Sequence, residues 1–84
     1  AGLMVTVVVE REFEVPQVFE ELQAVEDANS WCLETHVVTF QRSYFALDGK
    51  RMVCVYQAPD AEAVRKAQDQ AGLPYLRIYQ ATVL

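Results

Sequence analysis

The chain has 84 residues and a mass of 9.5 kDa, of which 52% are hydrophobic and 23% charged. That describes one globular domain spanning residues 1–84 and excludes a disordered chain, since a second core would leave each half too small to fold. The net charge of −5 and pI near 4.6 have the wrong sign for a protein that coats phosphate backbones. No apolar run approaches the roughly 20 residues that span a bilayer, and no basic segment precedes a long apolar one, so no signal peptide is expected. Neither nucleic acid nor a membrane is an expected partner. Cys32 and Cys54 form no CxxC pair, which suits a cytoplasmic protein with two reduced thiols.

In chain order, Leu3 to Val9 is apolar and β-branched and then alternates through Glu10, Arg11, Glu12 and Phe13, which predicts a strand. Ala1-Gly2-Leu3 reads as an addition ahead of a native start at Met4. Pro16 suits a helix's first turn, and Val18, Leu22 and Val25 follow at helical spacing, which predicts a helix from Pro16 to Ala28. Leu33 to Ala46 reads as a long strand, Leu47-Asp48-Gly49-Lys50 as a hairpin turn with Asp-Gly supplying positive φ angles, and Arg51 to Tyr56 as the return strand. The next helix has Asp60 as N-cap, a stripe of Ala63, Val64, Ala67 and Ala71, and Gly72 with Leu73 and Pro74 as its stop. Leu76 to Leu84 is the last strand.

The order β-α-β-β-α-β is that of an α+β, ferredoxin-like sandwich: a four-stranded antiparallel sheet with two helices on one face. The first and third strands are central in that topology, and Val5–Val9 and Met52–Val55 are the least polar runs of the chain. Both faces of these strands are apolar. A homodimer packed sheet to sheet, a dimeric α+β barrel, would cover the face the helices leave bare. The charge is uneven as well. Residues 10 to 34 hold eight acids against Arg11 alone, a polarity able to orient self-association or attract a cation, or else a solvated acidic helix face.

The stretches Val9-Glu10-Arg11-Glu12-Phe13, Trp31-Cys32, Arg42-Ser43-Tyr44, the run from Cys54 to Arg65, and Ala71-Gly72-Leu73-Pro74 together resemble a family of small proteins long catalogued as a domain of unknown function. One branch of that family is described as nickel-binding, with a dimeric ferredoxin-like fold. The resemblance implies the fold and the dimer and, for that branch, nickel or another transition metal. Relatives often carry a histidine where this chain has Arg42 and another where it has Ala67, so a histidine-rich site does not carry over. Glu10, His36 and Cys54 remain as metal ligands, with Cys32 beside them.

Each of these residues also has a plainer reading. His36, the single histidine, suits nickel, copper or zinc, or is a hydrogen-bonded histidine of an edge strand. Cys54 is a thiolate ligand or a small buried hydrophobe, and the two converge if Cys54 shares a face with the even-numbered residues of the second strand. Glu10 is a ligand, a base, or the partner of Arg42 across the sheet. Arg42, Tyr44 and Tyr56 are pocket or ligand residues; Tyr75, Tyr79 and Trp31 fill a pocket, the core or a dimer interface. The leading expectation is therefore a non-enzymatic binding protein that takes a transition metal at the sheet or dimer interface. The alternatives are a small dimeric α+β barrel enzyme, monooxygenase- or isomerase-like, and a ligand-sensing or assembly module. In the enzyme, Glu10 or His36 is the acid/base, Arg42 holds an anion, and Tyr44 or Tyr56 donates a proton. No nucleophile elbow, phosphate loop or zinc-protease helix is present in the sequence.

Overall fold

The computed structural model describes residues 3–28 and 30–84; the expected addition at Ala1-Gly2 lies outside them. The elements are β1 (Val5–Glu12), α1 (Phe19–Ala28), α2 (Ser30–Thr35), β2 (Thr39–Phe45), β3 (Arg51–Ala58), α3 (Ala61–Ala71) and β4 (Arg77–Ala81). The strands form one antiparallel sheet in the order β2-β3-β1-β4, with β1 and β3 central. This is the expected ferredoxin-like α+β arrangement, with one helix more than the sequence suggests.

Strict alternation builds the core. Val7 and Val9 of β1 face the helices together with Met52, Cys54, Tyr56 and Ala58 of β3, and all six are buried. Val64 and Ala67 of α3 close over them. The side chain of Asp60 accepts from the Ala63 N–H at 2.8 Å, and Gly72 ends α3 in the left-handed region at φ 71°. The start and stop read from sequence are thus the ones used.

Three expectations are corrected. Helix α1 begins at Phe19, not Pro16, because the preceding backbone is engaged elsewhere: the Gln17 N–H donates to Gly49 O at 2.8 Å and the Phe13 N–H to Lys50 O at 2.9 Å. Leu33 to Thr35 are helical and belong to α2, so the second strand starts only at Thr39. In the hairpin, Gly49 alone has positive φ; Asp48 acts through its carboxylate, which accepts from the Lys50 N–H at 2.9 Å.

Packing on the helical layer is uneven. No residue of α1 is buried, and Val18 and Val25 are about half exposed, so of its apolar stripe Leu22 carries the contact with the core. Phe19 adds an aromatic contact to Phe45 at 5.7 Å. Helix α1 therefore stands off the sheet and leaves space beneath it. Among the described residues, no helix is long and apolar enough to cross a membrane.

Candidate functional site

The expected ligands Glu10, His36 and Cys54 fall in three different places. Cys54 pairs with Val9 in the sheet and faces the helices, fully buried. Glu10, one residue further along β1, faces the opposite, open side. There its carboxylate accepts a hydrogen bond from the Tyr79 hydroxyl and lies 3.7 Å from Arg77 Nε. That contact raises the Tyr79 phenol, chiefly because the hydroxyl proton is held by a carboxylate. Glu10 thus pairs with Arg77 on β4, directly opposite, and not with Arg42. Arg42 lies beyond β3, opposite Val55.

His36 is not on an edge strand. It sits in the turn after α2, half-buried, with Nε2 2.7 Å from Gln70 Oε1 at the end of α3. Of the even-numbered residues of β2, Phe40 shares a face with Cys54 but Arg42 and Tyr44 do not. A bulge between Phe40 and Arg42 changes the parity, so that Phe40, Ser43 and Phe45 face the helices while Arg42 and Tyr44 face outward. Of the expected pocket residues, Arg42 and Tyr44 are exposed on the open face. Tyr56 lies under the helices, edge-on to Phe40 at 5.6 Å.

The open face has an apolar centre of Val8, Val53 and Val55, with Tyr44 and Tyr79 beside them, 59% and 41% exposed. Charges rim it: Glu10 with Arg77, Glu12 with Arg51 at 3.9 Å, and Arg42, which has no ion pair within 4 Å among the described residues. A face of this composition suits a protein surface more than a small-molecule site.

The helical side holds a second polar group, which sequence reading missed. Arg11 is only 5% exposed and lies within the core layer. Its Nη1 donates to Pro74 O at 2.7 Å and its Nη2 to Gln68 Oε1, and Gln68 Nε2 in turn donates to the Tyr56 hydroxyl at 3.4 Å. Glu26 of α1 approaches from above, accepting from Cys54 Sγ at 3.8 Å. Burial pushes the Glu26 carboxyl up, opposed by the attraction of Arg11; burial pushes the Cys54 thiol and the Tyr56 phenol up as well. Cys54 is therefore a protonated thiol near neutral pH. Two cavities meet at Glu26 and Leu73. One, of about 130 Å³, lies over Tyr56 and Cys32; the other, of about 330 Å³, opens over Arg11 and Met52. The signal available in sequence is alternation alone, which sets Arg11 on the face opposite Glu10 without saying which face the helices cover.

With four antiparallel strands under a single layer of helices and a polar cluster between the two, the chain is of the ferredoxin-like α+β class. Residues 8–81 match the model of the nickel responsive protein SCO4226-like family, and the chain belongs to that family. Among solved structures it is similar to the crystal structure of SCO4226 from Streptomyces coelicolor A3(2), with a TM-score of 0.82 at 16% identity, over 94% of this chain and 98% of that one. A search of curated proteins finds no match.

The residues of one copy do not by themselves fit a nickel centre. Among the described residues, no three His, Cys, Asp or Glu side chains stand together as a metal would need. The carboxylate of Glu10 and the imidazole of His36 have suitable donor chemistry but lie in separate parts of the fold.

Proposed function

We propose that the chain is a non-enzymatic, nickel-responsive binding protein that works in the cytoplasm as a homodimer packed sheet to sheet. Its metal is held between copies, with Glu10 as the ligand each copy supplies; Cys54 and His36 lie on the helical side, away from that face. The carrying observation is the open face of the sheet. Val8, Val53, Val55, Tyr44 and Tyr79 form an apolar centre, with Glu10 at its rim. Exposed apolar sheet of this kind is normally covered. Arg42, with no ion pair among the described residues, sits on the same face as Glu10 and Glu12, which pair with Arg77 and Arg51, so a second copy can set Arg42 against those acids. A two-fold interface doubles every donor it contains, which is how a chain with few ligands per copy completes a metal site. Membership of the nickel responsive family favours nickel as the first metal to test. The two buried, unpaired thiols suit a reducing compartment.

The test is light scattering followed by calorimetric titration with nickel, copper and zinc. A dimer that Val55→Asp splits into monomers, with saturable nickel binding lost in Glu10→Gln, supports the reading. A chain that stays monomeric at high concentration removes the dimer. A clean dimer with no saturable heat removes the metal.

A further inference from the structure

Arg11 stands out because its charge is buried beside a cavity and has no carboxylate in contact. A guanidinium has five N–H donors. Two go to the neutral acceptors Pro74 O and Gln68 Oε1, and among the described residues no carboxylate lies within 4 Å of it. The other polar groups at its side are the Cys54 thiol and the Tyr56 hydroxyl, both of which it hydrogen-bonds. Glu26 is the nearby opposing charge, but it makes no contact with Arg11, so the buried cation is only partly compensated.

The space beside it has a matching shape and polarity. The cavity of about 330 Å³ is lined by Arg11 and by the apolar side chains of Phe13, Leu22, Met52 and Leu73. A dry cavity of about 150 Å³ accepts benzene, so this one has room for a ligand of on the order of thirteen non-hydrogen atoms at the same density. One wall is α1, none of whose residues is buried; a wall so lightly held can move to admit a guest. Glu26 lines the cavity on the α1 side. It is the one acid there, and it bonds to Cys54 and not to Arg11.

We propose that this cleft between α1 and the sheet is a binding site for a small apolar monocarboxylate, a medium-chain or arylalkyl acid. The carboxylate pairs with Arg11, and the apolar body lies along Leu22, Met52 and Leu73. A carboxylate takes a charge-assisted hydrogen bond from a guanidinium N–H that Pro74, Gln68, Cys54 and Tyr56 leave over. Gln68 and Pro74 fix the guanidinium in place, so little side-chain ordering is left to occur on binding. The site lies on the helical side of the sheet, away from the open face, and does not depend on the metal reading.

The experiment is calorimetric titration of the full chain, freed of bound lipid by refolding, with octanoate, decanoate and 4-phenylbutyrate. Decanol and 4-phenylbutanol serve as neutral counterparts of similar size. The expected result is one acid per chain, bound at least tenfold more tightly than the matching alcohol. Arg11→Gln should erase that preference. Leu22→Trp, which fills the cavity and leaves Arg11 in place, should abolish binding of acid and alcohol alike. Glu26→Gln should tighten the acid by removing a nearby negative charge. If Arg11→Gln does not fold, the acid–alcohol comparison and Leu22→Trp decide. Equal binding of acid and alcohol overturns the proposal, as does absence of saturable binding for all three acids, or binding unchanged in Leu22→Trp.

Discussion

Val37 and Gly72 hold the same position in two copies of one helix-ending motif. At the end of α2 the Val38 N–H reaches back to Leu33 O and the Val37 N–H to Glu34 O; at the end of α3 the Leu73 N–H reaches Gln68 O and the Gly72 N–H reaches Asp69 O. Both central residues are left-handed, at φ 58° for Val37 and 71° for Gly72. Glycine adopts this conformation without strain, whereas a β-branched residue is among the worst suited to it. Val37→Gly should therefore stabilise the protein by about 1 kcal/mol, the usual excess of a left-handed residue less the added freedom of glycine when unfolded. Gly72→Val should cost at least as much. Urea midpoints decide; a Val37→Gly variant less stable than the parent would mean that its exposed side chain contributes more than its backbone loses.

That same motif explains the largest misreading of the sequence. Thr35, Val37 and Val38 have strand propensity, and no glycine marks the end of α2, so Leu33 to Ala46 reads as continuous strand. The valine sits where a glycine would have announced a stop. The helix itself is six residues long, too short for its periodicity to stand out. By contrast α3 has Asp60 at one end and Gly72 at the other, and both ends are legible because each has the residue its backbone requires.

Gly49 is constrained in a second way. Its φ is 74°, and a Cβ there would lie 2.9 Å from Gln17 O, a backbone atom held by the hydrogen bond from Gln17 N to Gly49 O. At Gly72 a Cβ meets nothing within 4 Å. Gly72→Ala should thus cost only the backbone term, about 1 kcal/mol. Gly49→Ala should cost more, above about 2 kcal/mol, because the segment before α1 has to move off the hairpin. Equal losses in the two variants would show that the Gln17 contact yields easily.

The candidate site was less legible than the fold, for a reason of parity. Sequence alternation sets Glu10 and Arg11 on opposite faces correctly, but a strand reading cannot say which face the helices cover. The bulge at Phe40–Arg42 shifts β2 by one residue. That single extra residue moves Arg42 and Tyr44 away from Tyr56, and the ligand group assembled from spacing comes apart. Sequence does not single out Arg11, because a charged residue is rarely a core residue. Its burial depends on Gln68 and Pro74, which lie far along the chain and come near it only in the folded protein.

Glu26 makes stability depend on pH in a defined direction. Its folded carboxyl lies above the ordinary 4.5, with burial as the main cause. Folding therefore favours the protonated form. The stability this gives is present in full below about pH 4.5 and is lost as pH rises through the folded value. Glu26→Gln keeps the shape and never ionises, so the difference in urea midpoint between variant and parent should grow in favour of the variant from pH 4.5 upward. A flat difference would mean that the attraction of Arg11 cancels the burial, and one that shrinks with pH that it outweighs it.

The thiols should be silent in the folded protein. Cys32 and Cys54 are 1% and 0% exposed, and burial pushes the Cys54 thiol above its ordinary 9.0, with nearby Glu26 pushing the same way and Arg11 opposing. Thiolate is the reactive form, so access and charge state both suppress attack. With an aromatic disulfide reagent at pH 8, neither cysteine should react at the rate of a free thiol, and two equivalents should appear on denaturation. Because α1 is lightly held and Cys54 lies beneath it next to Glu26, any slow native reaction should come through opening of that helix. Its rate should then fall when decanoate fills the cleft. Prompt reaction of one thiol in the native state would show that α1 is open most of the time, and protection unaffected by decanoate would show that the acid does not lie beneath it.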